Sequence, residues 1–360
     1  MWHDTPATKL LGIRFPIIQG PFGGGPSSVE LVRTVSDAGG LGSFGMQSLE
    51  PEQMIEVARQ IRTATSKPFA INLWMSNGEE SGSSSEGVHQ ASELLRPYYA
   101  ELGKEFPARP ERFIPDLGEQ LEAVLEIKPP VFSFVFGIPP ASMIAACKSL
   151  GIVTMGTATT AREAKALESA GIDCIVASGF EAGGHKGSFL RPAEESLTGT
   201  LSLIPQVVDQ VRIPVIAAGG VADARGVAAA LVLGAHGVQI GTAFLACKES
   251  AASVPHRNAL RASDAQSTTL TKAFTGRLAR SIPNRMTSEM SGGSSTAAPY
   301  PVQAWYMGHL AKAALIQGHD HFVSLSAGQS IALIHHDSAR ELMEELVRET
   351  PKILCKHCSF

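Results

Sequence analysis

Short apolar runs alternate with amphipathic stretches along most of the chain. This alternation is typical of strand–helix units built around a parallel sheet. The pattern predicts eight strands, at 16–22, 41–45, 69–74, 131–136, 152–157, 174–178, 214–218 and 237–241. It predicts intervening helices at 28–38, 51–64, 141–150, 161–170 and 224–233. Eight strands that each lead toward a helix favour an α/β fold of the closed (β/α)8 TIM-barrel class over a doubly wound open sheet.

Two long stretches interrupt this rhythm. Residues 76–118 follow the third strand and begin with a polar run of glycine and serine, with a helix predicted at 91–102. Residues 250–302 follow the eighth strand. We therefore expect residues 1–250 and 303–360 to form the barrel, with an insertion after strand three and residues 251–302 as an inserted cap or substrate subdomain. Helices predicted at 303–317 and 338–349 are expected to close the barrel.

Composition and charge make several classes of protein and partner unexpected for this chain. The chain is 44% hydrophobic and 18% charged, with a formal net charge of −4, so neither nucleic acid nor an anionic membrane is an expected partner. No apolar run is long enough to span a bilayer, and no secretory signal is recognisable. The five cysteines are too sparse for a disulfide framework, and Cys355 and Cys358 form a lone CxxC without the second pair a metal site needs. We expect a cytoplasmic protein with no metal.

Glycine is concentrated where several strands end. The first strand leads into Gly20, the seventh into Gly219 and Gly220, and the eighth into Gly241 and Thr242. Glycine lets a ligand approach the backbone, and the loops after strands seven and eight are the usual phosphate site of such barrels. The alternative is that these glycines only form tight turns. Their occurrence after both strands favours a ligand that carries a phosphate.

His185 is the candidate for acid–base chemistry. It follows the sixth strand and lies between glycine-rich turns that include Gly183 and Gly184, so we expect it to pack in no helix or strand. Those glycines would let the imidazole lie against a flat ring. Imidazole suits proton transfer because its usual pKa is close to neutrality. The alternative is a structural histidine bonded to a loop carbonyl.

Two further polar features are ambiguous. Asn72 stands in the apolar third strand, where a buried amide either ties two strands together or contacts a ligand. Arg277, Arg280 and Arg285 lie in the stretch after strand eight. A solvated face is favoured for these arginines over a role near a substrate.

With these motifs in place, the chain resembles the nitronate monooxygenase family, formerly called 2-nitropropane dioxygenases. The most specific part of the resemblance is Glu181-Ala182-Gly183-Gly184-His185 combined with the two later glycine loops. The resemblance covers nearly the whole chain, through segments 16–21, 72–73, 179–187, 217–223, 233–235, 239–244, 275–280 and 328–330.

The resemblance implies a barrel that binds flavin mononucleotide (FMN) non-covalently, and His185 as the catalytic base beside the flavin. The implied reaction is the oxidation of an alkyl nitronate or nitroalkane by O2 to a carbonyl compound and nitrite. The implied FMN site comprises Gly20, Pro21, Phe22, Asn72, Ser178, Gly183, Gly184, Gly219, Gly220, Gln239, Gly241 and Thr242, with the phosphate on the last two glycine loops. The expected partners are a small-molecule substrate and O2, with a homodimer as the candidate assembly.

Two positions depart from the family pattern. Ser178 stands where the family often has a glutamine, and Phe22 where it often has a methionine, so flavin electronics and pocket shape are expected to differ. The nearest alternative function is an FMN-dependent enoyl-acyl-carrier-protein reductase that uses NAD(P)H. Two others are a protein that binds FMN without turnover and a flavin-free, phosphate-binding isomerase or synthase.

Overall fold

The computed structural model of the chain describes residues 1–75, 84–262, 267–291 and 297–357. Its strands are β1 (Ile17–Gln19), β2 (Gly42–Gly45), β3 (Phe69–Trp74), β4 (Val131–Val135), β5 (Val153–Ala158), β6 (Cys174–Ser178), β7 (Gly184–His185), β8 (Val215–Ala218), β9 (Gly237–Ile240), β10 (Thr269–Thr271) and β11 (Ala279–Ser281). Its α-helices are α1 (Pro6–Leu11), α2 (Val29–Asp37), α3 (Pro51–Ala64), α4 (Ser85–Glu101), α5 (Leu117–Ile127), α6 (Ala141–Ser149), α7 (Ala161–Ser169), α8 (Thr200–Val208), α9 (Ala224–Val232), α10 (Thr242–Leu245), α11 (Val254–Arg261), α12 (Arg285–Glu289), α13 (Val302–Ile316) and α14 (Ala339–His357).

Eight of these strands form the predicted barrel. They pair in parallel in the order β1-β9-β8-β6-β5-β4-β3-β2. A parallel bridge between Ile18 and Leu41 joins the two ends of this order, and the backbone N–H of Gln19 donates to the Leu41 carbonyl at 2.9 Å. The prediction of a (β/α)8 barrel is therefore confirmed, and the alternative of a doubly wound open sheet is excluded.

Alternation along the strands builds two apolar layers. Ile18, Ala70 and Ile216 belong to a cluster that fills the inside of the barrel. Their chain neighbours Ile17 and Ile71 belong instead to the larger cluster that packs against the surrounding helices. Successive strand residues point to opposite faces, so both faces of each strand are buried, and for this reason the strands appear in the sequence as short continuous apolar runs.

A second apolar cluster lies outside the barrel. It joins α4 to α13 and includes Tyr99 and Tyr306, and the hydroxyl of Tyr99 donates to the Tyr306 carbonyl at 2.7 Å. Helix α14 packs instead on α2 and α9, against the barrel. The division into a barrel and an inserted cap at 251–302 stays a prediction.

Parts of the predicted features lie outside the described residues. These are the glycine-serine runs within 76–83 and 292–296, and Cys358 of the CxxC pair. Within the described ranges, no helix is both long and apolar enough to cross a bilayer.

Candidate active site

His185 lies in a short strand at the C-terminal end of the barrel. As part of β7 it pairs antiparallel with Ala279 of β11, which corrects the expectation that it packs in no strand. Its ring meets the edge of Trp74, the last residue of β3, with 4.6 Å between ring centroids. Phe136, directly after β4, is 6.1 Å away in the same arrangement. Aromatic walls therefore surround a half-buried imidazole at the face where barrel active sites form.

The environment of His185 keeps its ring neutral. Burial lowers the pKa of His185 to about 3, and the positive charges of Arg277 and Lys186 add to this effect. The expectation of an imidazole that titrates near neutrality is therefore wrong. Nε2 lies 2.8 Å from the Thr275 hydroxyl oxygen, so one ring nitrogen has a fixed partner.

The three arginines have three different environments. The Arg277 guanidinium lies 4.1 Å from the ring centroids of both Phe136 and Tyr300 and 5.6 Å from that of Trp74. Arg280 is buried and donates from Nε to the Phe180 carbonyl at 3.0 Å. Arg285 bonds to Glu101 and Glu289 on the surface. The solvated-face interpretation is confirmed for Arg285 and is wrong for Arg277 and Arg280.

Lys186 is a second buried cation beside the histidine. Its ammonium donates to the carbonyls of Phe180, at 3.1 Å, and Ala182. Burial lowers the pKa of Lys186 to about 7; nearby Arg280 lowers it further, and Glu181 opposes the shift. Lys186 and Arg280 thus both hold the turn that leads from β6 to His185.

The glycine loop after β8 packs against this same turn. Gly219 has φ +101°, and a Cβ there would lie 2.9 Å from the Thr200 hydroxyl oxygen and 3.1 Å from the Ala182 nitrogen. The Glu181 carboxylate accepts from the backbone N–H and the hydroxyl of Thr200. These two hydrogen bonds hold Thr200 against the Gly219 loop. Gly220, at φ +72°, has more space, since its nearest neighbour would be 3.7 Å from a Cβ.

The loop after β9 is hydrogen-bonded to residues 327–328, a segment near the C-terminus. The backbone N–H of Gly328 donates to the Thr242 hydroxyl at 2.9 Å. A Cβ on Gly183 would lie 2.6 Å from the carbonyl carbon of Ala327. Residues 327–328 therefore connect the turn before His185 to Thr242, whereas Gly184 at φ +73° has open space on its Cβ side.

The loop after β1 lies beside the loop after β9. A Cβ on Gly20 would be 3.4 Å from the Gly241 Cα and 3.7 Å from Gln239 Cγ. Pro21 and Phe22 follow, both half-buried, and the Phe22 carbonyl would contact a Cβ on Gly45 at 2.4 Å. The predicted residues that follow β1, β8 and β9 therefore lie at neighbouring strand ends, since β9 pairs with both β1 and β8.

Asn72 lies within β3, and Ser178 is the last residue of β6. Asn72 is buried and donates from Nδ2 to the Ser133 hydroxyl at 2.9 Å, so it ties β3 to β4. Ser178 is half-buried at the end of β6, opposite Ala218, which precedes Gly219. A flavin contact from either residue stays a prediction.

Several residues of this site were not expected from the sequence. Thr275 and Arg277 lie inside a segment of the family resemblance, and Arg277 was considered for a role near a substrate, although a solvated face was favoured. Nothing in the sequence pointed to Trp74 and Tyr300 as site residues, because their rings contact each other across 226 positions of the chain. Gln47, after β2, lines one cleft with Trp74, Arg277 and Tyr300, and its side-chain oxygen is buried without a partner among the described residues.

Comparisons with known proteins agree with this architecture. A profile of the nitronate monooxygenase family matches residues 4–349. A probable nitronate monooxygenase of Staphylococcus aureus strain Newman is 39% identical over 355 residues, which cover 98% of this chain and 99% of that protein. A probable nitronate monooxygenase of Staphylococcus haemolyticus is 38% identical over 356 residues, with the same two coverages.

Solved structures give a consistent result. The nitroalkane oxidase from Streptomyces ansochromogenes has a TM-score of 0.88 at 35% identity and covers 98% of this chain and 100% of its own. FabK from Thermotoga maritima has a TM-score of 0.76 at 28% identity and covers 98% of each chain. The fold and these relatives define an oxidoreductase that acts on a small molecule. The chain belongs to the nitronate monooxygenase family.

Proposed function

We propose that this enzyme uses FMN to oxidise alkyl nitronates and nitroalkanes with O2, giving a carbonyl compound and nitrite. The observation that carries the proposal is the pair His185 and Arg277, a neutral base and a cation, which share the aromatic walls of one site. In the balanced overall reaction each O2 oxidises two nitronate anions: each carbon–nitrogen bond breaks, a carbonyl oxygen comes from O2, and nitrite leaves.

The glycine loops fit a phosphate-bearing flavin. Gly220 has a left-handed backbone, and a Cβ there would meet the Glu181 side chain only at van der Waals distance, 3.7 Å, so its side of the loop can approach a phosphate closely. Gly219, Gly241 and the Thr242 hydroxyl would hold the same phosphate group. These loops offer one cradle and no second one for a pyrophosphate, which favours FMN over flavin adenine dinucleotide (FAD).

The remaining predicted residues would face the flavin ring. They are Gly20, Pro21, Phe22, Asn72, Ser178, Gly183, Gly184 and Gln239, which lie in strands of the structure or in the loops that follow them. Bound FMN would supply an acceptor for electrons from the substrate carbon and a route for those electrons to O2. Residues 251–302 would cap the pocket.

The protonation state of His185 favours one of the two substrates. A nitroalkane must lose its α-proton, and a neutral imidazole can take it. A base whose pKa is lowered to about 3 is weak, however, because proton transfer is most efficient when the pKa is near the working pH. A nitronate has already lost that proton, so we propose the nitronate as the better substrate.

Flavin analysis and product analysis test this function together. The purified protein should be yellow, should release FMN on denaturation, and should form nitrite from propyl nitronate while consuming O2. NADH and a crotonyl thioester under argon serve as the competing assay. Release of FAD, or reduction of the thioester without nitronate oxidation, would overturn the proposal.

A further inference from the structure

We propose that Phe136 is a positioning residue that shields the imidazole of His185 from water and thereby favours nitronates over nitroalkanes as substrates. This inference rests on the proposed function and deepens it, because it names a side chain that controls the strength of the proposed base. Phe136 directly follows β4 and was not among the residues expected to form the site.

The backbone of Phe136 has a conformation that phenylalanine rarely adopts. Its φ is +70°, in the left-handed region. Among the described residues other than glycine, Lys128 alone shares a positive φ, and it is the C-cap of α5, where a left-handed residue is common. Phe136 follows a strand and caps no helix. A bulky residue in this region is strained, and such strain persists only where the surrounding structure imposes it, often at functional sites.

The contacts of the Phe136 ring show what this conformation achieves. The residue is buried, and its ring centroid lies 5.0 Å from that of Trp74 and 6.1 Å from that of His185, edge-on to both. The Arg277 guanidinium lies 4.1 Å from the same centroid. The strained backbone therefore places one apolar ring against an indole, an imidazole and a guanidinium.

This packing accounts for the weak basicity of His185. Burial is the main cause that lowers the pKa of His185 to about 3, and the charges that face it, on Arg277 and Lys186, act in the same direction. Without the Phe136 ring, the space would be lined by polar groups of His185 and Arg277, and a space of that kind takes up water. Water would solvate the imidazolium and screen both charges, so the pKa of His185 would rise toward its usual 6.5.

The strength of this base decides between the two substrates. A nitroalkane must lose its α-proton, and a base with a pKa closer to the working pH removes that proton faster. A nitronate has no such proton to lose. The Phe136 ring thus slows oxidation of the nitroalkane and has little effect on the nitronate.

Three variants separate the ring from the backbone. Phe136→Gly removes the ring, and glycine also fits the left-handed backbone, so this variant avoids the strain that alanine would keep. Phe136→Leu keeps a large apolar side chain and should still exclude water. The matched control is Phe15→Gly, since Phe15 precedes β1 at the opposite end of the barrel and is also buried against a tryptophan, a histidine and an arginine, namely Trp2, His3 and Arg14.

Titration of the histidine side chains by NMR, on the protein as purified, measures the pKa of His185 without turnover. The His185→Asn spectrum assigns the resonance. Wild type, Phe136→Leu and Phe15→Gly should show a neutral His185 ring throughout about pH 5 to 8. In Phe136→Gly the titration midpoint should rise by roughly two pH units or more, into this range. A wild-type ring that titrates near neutrality, or an unchanged midpoint in Phe136→Gly, would overturn the proposal.

Kinetics with propyl nitronate and 1-nitropropane connect this pKa to substrate preference. The ratio of kcat/KM for 1-nitropropane to kcat/KM for propyl nitronate should rise roughly three- to tenfold in Phe136→Gly and stay unchanged in the other two variants. An unchanged ratio in Phe136→Gly would overturn the role in specificity. A wild type that oxidises neither substrate would refute the proposed function instead, and the NMR titration would still decide whether Phe136 shields His185.

Discussion

The imidazole Nε2 of His185 lies 2.8 Å from the hydroxyl oxygen of Thr275. The same hydroxyl lies 3.3 Å from both the backbone N–H and the carbonyl of Arg277, which donates to it and accepts from it respectively. When the hydroxyl donates to the Arg277 carbonyl, the histidine must donate from Nε2, which leaves Nδ1 as the proton acceptor. Thr275 is therefore a positioning residue that connects the proposed base to the backbone of Arg277.

Thr275→Val should weaken catalysis without removing the flavin. The valine leaves Nε2 without its partner, and loss of a buried hydrogen bond costs about 1–3 kcal/mol, so nitroalkane kcat should fall roughly 5- to 100-fold. Thr275→Ser keeps the hydroxyl and should retain most of the activity. Steady-state kinetics at measured flavin loading would check this. Equal activity of the valine and serine variants would show that the hydrogen bond has no catalytic role.

The lowered pKa of His185 should make the fold sensitive to acid. Its folded-state pKa, about 3, is below the usual 6.5, so the unfolded chain binds a proton in this range that the folded chain does not. The corresponding stability is fully present above pH 6.5 and is lost progressively as the pH falls toward 3. His185→Asn should therefore lose less stability than the wild type as the pH falls from 6.5 to 3. The measurement is the urea midpoint of unfolding of each protein as a function of pH.

The control for that pH series is His335→Asn, at an exposed histidine far along the chain. It should follow the wild-type slope. If His185→Asn also followed the wild-type slope, the imidazole would not be held neutral by the fold.

Gly220→Glu should produce a folded protein without flavin. The new carboxylate would stand beside the position proposed for the phosphate, where like charges repel. Gly103→Glu is the matched control, since Gly103 also has positive φ, at +62°, and no atom within 4 Å of a built Cβ. Absorbance near the flavin bands, relative to protein, would measure occupancy in both. Full flavin content in Gly220→Glu would show that the phosphate does not bind at this loop.

Much of the barrel could be predicted because its elements carry strong local signals. The observed bounds of α3, β3 and β6 agree with the predicted ones, since each is a buried run or an amphipathic repeat, and Pro51 marks the start of α3. Helix α8 was missed because Pro205 lies inside it, and proline normally argues against a helix interior. The small sheet of β7, β10 and β11 was also missed, because strands of two or three residues show no periodicity.

The candidate site was predictable only in part, and for a physical reason. Glycine loops are visible in sequence because the backbone conformation depends on the residue itself. The environment of His185 is not visible, because it depends on Trp74, Thr275 and Arg277, which tertiary packing brings together from distant segments. The pKa of the imidazole follows from that packing, so a catalytic pKa near neutrality was the expectation and a much lower one is the finding.

Oxygen uptake with propyl nitronate and with 1-nitropropane, measured on the FMN-loaded protein at pH 7, tests the central claim most directly. A neutral, weakly basic His185 beside Arg277 predicts rapid uptake and nitrite release with the nitronate and much slower uptake with the nitroalkane. NADH alone should neither bleach the flavin nor be consumed. Faster oxidation of the nitroalkane, or bleaching of the flavin by NADH with no nitronate activity, would contradict the account.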